Sequence, residues 1–175
     1  MTKISLDLIK ELRHMTAASI AECKKALHES EGDLKKAAIL LRKRGLEIAA
    51  QKQSRAAKDG RIEAYVHMGN KIGVLLEVTS ETDFVAKNHD FSQFTKDVCM
   101  QIAAMGPTYI KREDVPADII EEEKDKEQFF KAHCLLEQPF VKDPSITIKD
   151  YLGSLVAKFS ENINIRRFIR YKIGE

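Results

Sequence analysis

Glu81 and Asp83 flank Thr82 at the end of an alternating apolar run, in the stretch Ser80-Glu81-Thr82-Asp83-Phe84-Val85. Two carboxylates this close can work as an acid–base pair or hold Mg2+. Either task needs a further ligand or base, and the neighbouring sequence supplies none. The five histidines are His14, His28, His67, His89 and His133. None forms HExxH and no pair has tight metal-ligand spacing. His67 follows a strand-like run, and His89 with Asp90 opens a helix, where a capping turn is the plainer role. Neither GxxxxGK[ST] nor GxGxxG occurs, so no phosphate loop is written here. GxSxG is also missing. Ser154 follows Gly153, but on an apolar helical stripe. Glu121, Glu122 and Glu123 read as a solvated helix face. Cys23, Cys99 and Cys134 are odd in number and far apart, with no CxxC. They suit free thiols in a reducing compartment rather than a zinc or redox site. The expectation is a chain that is no enzyme and uses no cofactor and no metal.

Phe84 is the odd residue of that stretch. A large aromatic at a strand exit is most often core. The alternative is an aromatic anchor presented to a partner by a loop.

The elements that must carry these residues follow from apolar spacing. Over residues 5–45, Leu8, Ile9, Leu12 and Met15, then Ile20, Cys23 and Leu27, then Leu34, Ala37, Ala38 and Leu41 mark three short helices. Thr16 is a candidate cap for the second, Ser30 or Asp33 for the third, and Gly45 stands where a helix stop is expected. Residues 46–60 lack an apolar stripe and read as an exposed helical linker. The period then changes to two. Ile62, Ala64 and Val66 alternate with polar neighbours, as do Ile72, Val74, Leu76 and Val78. Gly69-Asn70 between them reads as a two-residue hairpin loop. Phe91, Phe94, Val98, Ile102 and Met105 mark a helix over 89–105, stopped by Gly106-Pro107. Pro116 opens an acidic helix over 117–133. Residues 135–144 read as irregular, and Leu152, Leu155, Val156 and Phe159 as a further helix. A closing strand puts Ile163, Ile165, Ile169, Tyr171 and Ile173 on one face.

The predicted fold class is therefore α+β. A three-helix head (1–45) and a linker helix (46–60) precede a core domain (61–175). That core is a small, mainly antiparallel three-stranded sheet packed by helices.

The composition is 43% apolar and 32% charged, as in a globular chain, with a net charge of +2. Residues 1–54 carry 11 Lys/Arg against 7 Asp/Glu, +4, a mild bias that could favour an acidic protein surface. The near-neutral total argues against direct nucleic-acid binding, for which Arg166, Arg167, Arg170 and Lys172 would be the candidates. No apolar run approaches membrane-spanning length. The N-terminal segment MTKISLDLIKEL has no signal-like core. A cytoplasmic protein with no membrane contact is expected.

Several segments together resemble the elongation factor Ts family. Thr82-Asp83-Phe84-Val85, within ETDFVAKN (81–88), looks like the TDFV signature of that family. LRHMTAASIAECKKAL (12–27) is similar to its N-terminal signature, with Ala17 and Ser19 where many members have glycine. Gly73 to Val78, AAMGPTYIKREDVP (103–116), LLEQPFVKDPS (135–145) and ENINIRRFIRYKIGE (161–175) extend the likeness across the chain in family order.

The resemblance implies an exchange factor of translation elongation that promotes GDP release from GDP-bound elongation factor Tu. By analogy the head is ubiquitin-associated-like and docks on the GTPase through Arg13, Ile20 and Ala21. Asp83 and Phe84, with Thr82 and Val85 shaping their turn, disturb the Mg2+/phosphate site. Phe140 and Val141 are weaker contact candidates. A single core unit implies pairing of two chains, so a homodimer through the sheet edge or final strand is expected. Three other classes compete with this reading. One is an interaction module with such a head and no exchange activity. One is an enzyme using Glu81, Asp83 and His67. The last is an RNA binder.

Overall fold

The computed structural model describes residues 4–16 and 18–175. Residues 1–3 of the N-terminal segment and Ala17 of the head signature lie outside them.

Three helices open the chain: α1 (Leu6–Thr16), α2 (Ile20–Glu29) and α3 (Leu34–Lys52). Their apolar stripes meet in a small core of Ile9, Leu12, Cys23, Ala26, Leu27, Ala37 and Leu41. The caps differ in part from expectation. Thr16 turns its hydroxyl back to donate to the Leu12 carbonyl at 2.7 Å. Ser19 caps α2 instead, its Oγ accepting the Glu22 N–H. Asp33 caps α3 through the Lys36 N–H at 3.0 Å.

Gly45 does not stop the third helix; α3 runs through it for 19 residues. A glycine is needed there because another helix passes against it. A Cβ on Gly45 would lie 3.1 Å from the Gly153 carbonyl oxygen. The stretch beyond Gly45 is thus not an exposed linker helix. Ile48 and Ala49 pack against the core of the body.

That body is built on a three-stranded antiparallel sheet, order β1-β2-β5, of β1 (Asp59–Val66), β2 (Ile72–Ser80) and β5 (Asn164–Lys172). The β1–β2 connection is longer than two residues. His67 N–H donates to Ile72 O and Asn70 N–H to His67 O, with Gly69 and Asn70 both at positive φ. One face of the sheet carries Val74, Leu76 and Val78 into the core.

Two alternations point the other way from the simple reading. In β1 the apolar residues Ile62, Ala64 and Val66 face outward, and Arg61, Glu63 and Tyr65 are half-buried. Glu63 tolerates this because Arg61 Nε and Thr95 Oγ1 each donate to its Oε2 at 2.9 Å. In β5 a bulge interrupts the register, with Glu77 opposite Arg167 but Val78 opposite Ile165. Arg166 is the extra residue, and a bulge reverses which parity faces the core. Ile165 is buried and Phe168 packs on the core, whereas Ile169 and Tyr171 are turned out.

Helix α4 (Asp83–Ala86) leaves the end of β2, and α5 (His89–Met105) follows it. Phe91, Phe94, Val98 and Ile102 of α5 are fully buried, and Gly106 ends it in the left-handed conformation. The expected acidic helix is two: α6 (Ala117–Glu122) and α7 (Lys126–His133). Glu121, Glu122 and Glu123 crowd the negative end of α6. Asp125 then offers a fresh cap, accepting the Gln128 N–H at 3.0 Å. Residues 135–144 are not wholly irregular, because β3 (Pro139–Phe140) pairs with β4 (Asp143–Thr147). Helix α8 (Ile148–Phe159) starts on a Thr147/Asp150 capping box and packs against α3. Among the described residues no helix is long and apolar enough to cross a membrane.

Candidate functional site

Residues 80–88 form a short projection whose base is locked and whose tip is open. Ser80 is buried, and its hydroxyl donates to the Thr82 carbonyl at 2.9 Å. Thr82 is extended and precedes the single turn of α4. Lys87 N–H to Asp83 O and Asn88 N–H to Val85 O close that turn at 3.0 Å each. Val85 and Ala86 are buried and plug the turn into the core. Asn88 then caps α5 through the Asp90 N–H.

Phe84 takes the opposite side of the turn and is 75% exposed. The core reading of this aromatic is therefore the wrong one. Its neighbour Asp83 is also exposed and pairs with Lys87 Nζ at 2.6 Å. That hydrogen bond and charge hold the Asp83 carboxyl below its ordinary range. The projection thus offers an apolar ring beside an ionised carboxylate.

The candidate groups for an acid–base centre do not meet. Glu81 points back into the protein, accepting the Asn162 N–H at 2.7 Å with Arg55 Nη1 3.6 Å away. His67 is bonded to the Tyr65 hydroxyl and to Ile72 at the far end of β2. Ile72 and Glu81 are nine positions apart along an extended strand, roughly 30 Å. His89 is exposed and lies 3.7 Å from Asp90. Among the described residues no group of three His, Cys, Asp or Glu side chains is placed to hold a metal ion.

In the head, Arg13, Ile20 and Ala21 are all exposed. Met15, which spacing assigns to the buried face of α1, is exposed as well, so Met15 and Ile20 flank the α1–α2 turn as apolar surface. Phe140 faces inward in this chain. It is buried with its ring 5.1 Å from that of Tyr151. Val141 beside it is 39% exposed, its N–H held by Gln101 Oε1 at 2.9 Å.

The basic residues of β5 have acidic neighbours. Arg166 and Arg167 both approach Glu77, and Arg170 and Lys172 both approach Glu175. Spacing did not single out Glu161, whose carboxylate receives the N–H groups of Glu81 and Thr82 at 3.1 Å each. A bond spanning some 80 residues leaves no local signal.

The family model described as elongation factor TS matches this chain over residues 2–128 and 125–175. The chain is 47% identical to elongation factor Ts of Carboxydothermus hydrogenoformans over 195 aligned positions, covering 98% of this chain and 90% of the relative. It is 48% identical to elongation factor Ts of Heliobacterium modesticaldum, with 98% and 91% covered. For that of Thermodesulfovibrio yellowstonii the identity is 47%, with 98% and 97% covered. An alignment of 195 positions on 175 residues leaves at least 20 positions (195 − 175) that this chain lacks. The two matched spans meet at 125–128, the cap and first turn of α7.

Proposed function

The chain belongs to the elongation factor Ts family, and from that premise we propose that it accelerates GDP release from GDP-bound elongation factor Tu by inserting the α4 turn beside the Mg2+/phosphate site. The observation that carries this reading is the exposure of Phe84 on a turn whose other side is buried. An aromatic ring presented on a fixed turn is the kind of anchor that carries binding energy at an interface. Asp83 beside it brings negative charge to a site where GDP and Mg2+ depend on charge.

Exchange needs no bond chemistry. It needs a ternary state in which factor and nucleotide each weaken the other's binding, and that coupling is reciprocal. Burying one Phe side chain stabilises a contact by ~1.5–3 kcal/mol, one to two decades in an equilibrium constant. Phe84 alone therefore falls short of a large acceleration. The head, through Arg13, Ile20 and Ala21 with Met15 beside them, adds docking free energy, and Val141 adds a further contact. In this division of labour residues 1–45 dock and the body carries the wedge.

We also propose a cytoplasmic homodimer. The outward sheet face shows Ile62, Val66, Leu75, Ile169 and Tyr171, a contiguous apolar surface of the kind that monomers seldom leave in water. The thiols of Cys23, Cys99 and Cys134 are free and buried, which suits a reducing compartment.

The test is release of a fluorescent GDP analogue from purified elongation factor Tu, with and without catalytic amounts of this chain, run beside Phe84→Ala. Strong acceleration that Phe84→Ala largely removes is expected. Binding without acceleration would leave a docking module with no exchange activity. No binding would end the reading.

A further inference from the structure

The sheet stops just before the projection. β1 pairs as far as Ser80 and β5 only as far as Thr79, so the N–H groups of Glu81 and Thr82 run past the ladder. One side chain takes both. Glu161, at the corner between α8 and β5, accepts them on Oε2 at 3.1 Å, and its Oε1 accepts the Thr82 hydroxyl at 2.6 Å. The corner is bonded in return. Asn162 N–H donates to Glu81 Oε1 at 2.7 Å, and Asn162 Nδ2 donates to the carbonyls of Arg55 at 2.6 Å and Gln53 at 3.3 Å. Ser160, immediately before, sits at φ +54, which fixes the entry to the corner. Glu81 and Thr82 are therefore tied to the Glu161–Asn162 corner after α8, and through Asn162 to the chain just past α3.

Hydrogen bonds to a carboxylate are among the stronger ones available to backbone N–H groups. Val85 and Ala86 anchor the α4 turn from below, and Glu161 anchors its entry from the side. Two anchors restrict the Thr82–Asp83–Phe84 backbone. Holding a contact loop in its bound shape lowers the ordering cost of the step that uses it.

We propose that Glu161 is a positioning residue for nucleotide exchange, fixing the Thr82 end of α4 so that Phe84 and Asp83 meet the GTPase pre-formed. The proposal rests on the exchange reading above. It assigns Glu161 no contact with the nucleotide or the partner.

Two measurements on variants of this chain test it. The first is amide hydrogen exchange by NMR in Glu161→Ala. Protection at Glu81 and Thr82 is expected to fall while that at Val98 and Ile102 is kept, which separates local release from unfolding. Unchanged protection at Glu81 and Thr82 overturns the proposal. The second is GDP release from elongation factor Tu as a function of factor concentration. Glu161→Ala is expected to lower the maximal rate roughly tenfold, the scale of lost charge-assisted bonds. The half-saturating concentration should move less than about twofold, since head docking is untouched. Glu161→Gln, which keeps an acceptor of the same reach, should recover most of the rate. In a Phe84→Ala background the Glu161→Ala loss should shrink to under about twofold. An equal loss with and without Phe84 overturns the proposal, because Glu161 would then act on stability alone. A wild-type maximal rate in Glu161→Ala overturns it as well. If the wild-type chain itself accelerates nothing, the exchange reading fails and takes the proposal with it.

Discussion

Gly45 of α3 and Gly153 of α8 meet with no side chain between them. A Cβ on Gly45 would stand 3.1 Å from the Gly153 oxygen, and one on Gly153 would stand 3.1 Å from Leu46 Cδ2 and 3.4 Å from the Gly45 carbonyl carbon. The backbones of two helices approach this closely only where neither carries a Cβ. The contact ties the last helix of the head to the body that carries Phe84. Gly45→Leu is expected to force the helices apart at a cost of about 1–3 kcal/mol. Gly45→Ala should cost less than Gly45→Leu but still destabilise, since the Cβ would crowd the Gly153 backbone and the ~1 kcal/mol gain in helix propensity offsets that only in part. Urea unfolding midpoints of the two variants check both statements.

Gln101 is fully buried and serves three backbone or amide groups at once. Its Nε2 donates to Gln138 Oε1 at 3.2 Å and to Pro139 O at 3.1 Å, and its Oε1 accepts the Val141 N–H. Gln101→Leu would keep the volume and strand these partners. Each buried group left unpaired costs ~1–3 kcal/mol, so a loss of about 3 kcal/mol is expected in the same unfolding assay. Lys96→Ala, one turn away on the same helix and on an exposed position, should change stability by less than about 0.5 kcal/mol.

Where periodicity and local chemistry decide the structure, they decide it well. Helix α5 follows its Phe91/Phe94/Val98/Ile102 stripe to the Gly106 stop. The Thr82–Val85 segment stands at a strand exit as its neighbours suggest. Alternation marks two faces of a strand but does not say which one is covered. For that reason Ile62 and Val66 face outward against simple expectation, while Glu63 is drawn inward by Arg61 and Thr95. The bulge at Arg166 carries no Gly or Pro signal, yet it turns Ile169 and Tyr171 from the core to the surface. Gly45 carries a helix-stop signal that tertiary packing overrides. Glu161 and Phe140 take their roles from residues far away in sequence, which no window of neighbours contains.

Burial of the thiols makes the fold sensitive to alkaline pH. Desolvation, with Glu63 nearby, pushes the Cys99 thiol up to about 12, and desolvation with Glu137 pushes Cys134 up to about 11. These groups have raised pKa values in the folded state. Their stabilising effect is complete below the unfolded-state value near 9 and is lost as pH rises through about 11 to 12. Stability should therefore decline above pH 9, and Cys99→Ala should flatten that decline while lowering stability at pH 7. Ellman's reagent at pH 8 should label the native thiols slowly and all three at once after denaturation. Rapid labelling of three thiols in the native state would contradict their burial.

The outward sheet face makes the remaining prediction. Ala64, Leu75 and Ile169 stand in cross-strand register, with Val66, Gly73 and Tyr171 in register beside them. All of the large side chains in this row are exposed, Tyr171 at 68%. On the dimer reading this patch is covered by a second copy, which by meeting the same face would form a closed, two-fold pair. The chain is 19.9 kDa, so light scattering behind a sizing column should give twice that mass for the wild type. Ile169→Asp would place two like charges at the centre of such a face, unpaired and desolvated, and should shift the protein to monomer. Because Ile169 is exposed within one chain, the variant should fold normally, with an unchanged far-UV circular dichroism spectrum. Its effect on GDP release then separates two roles of pairing. A monomer with full activity would make each copy of Phe84 sufficient, and an inactive one would make the dimer the working unit. A wild-type chain that is monomeric at micromolar concentration would end the dimer reading.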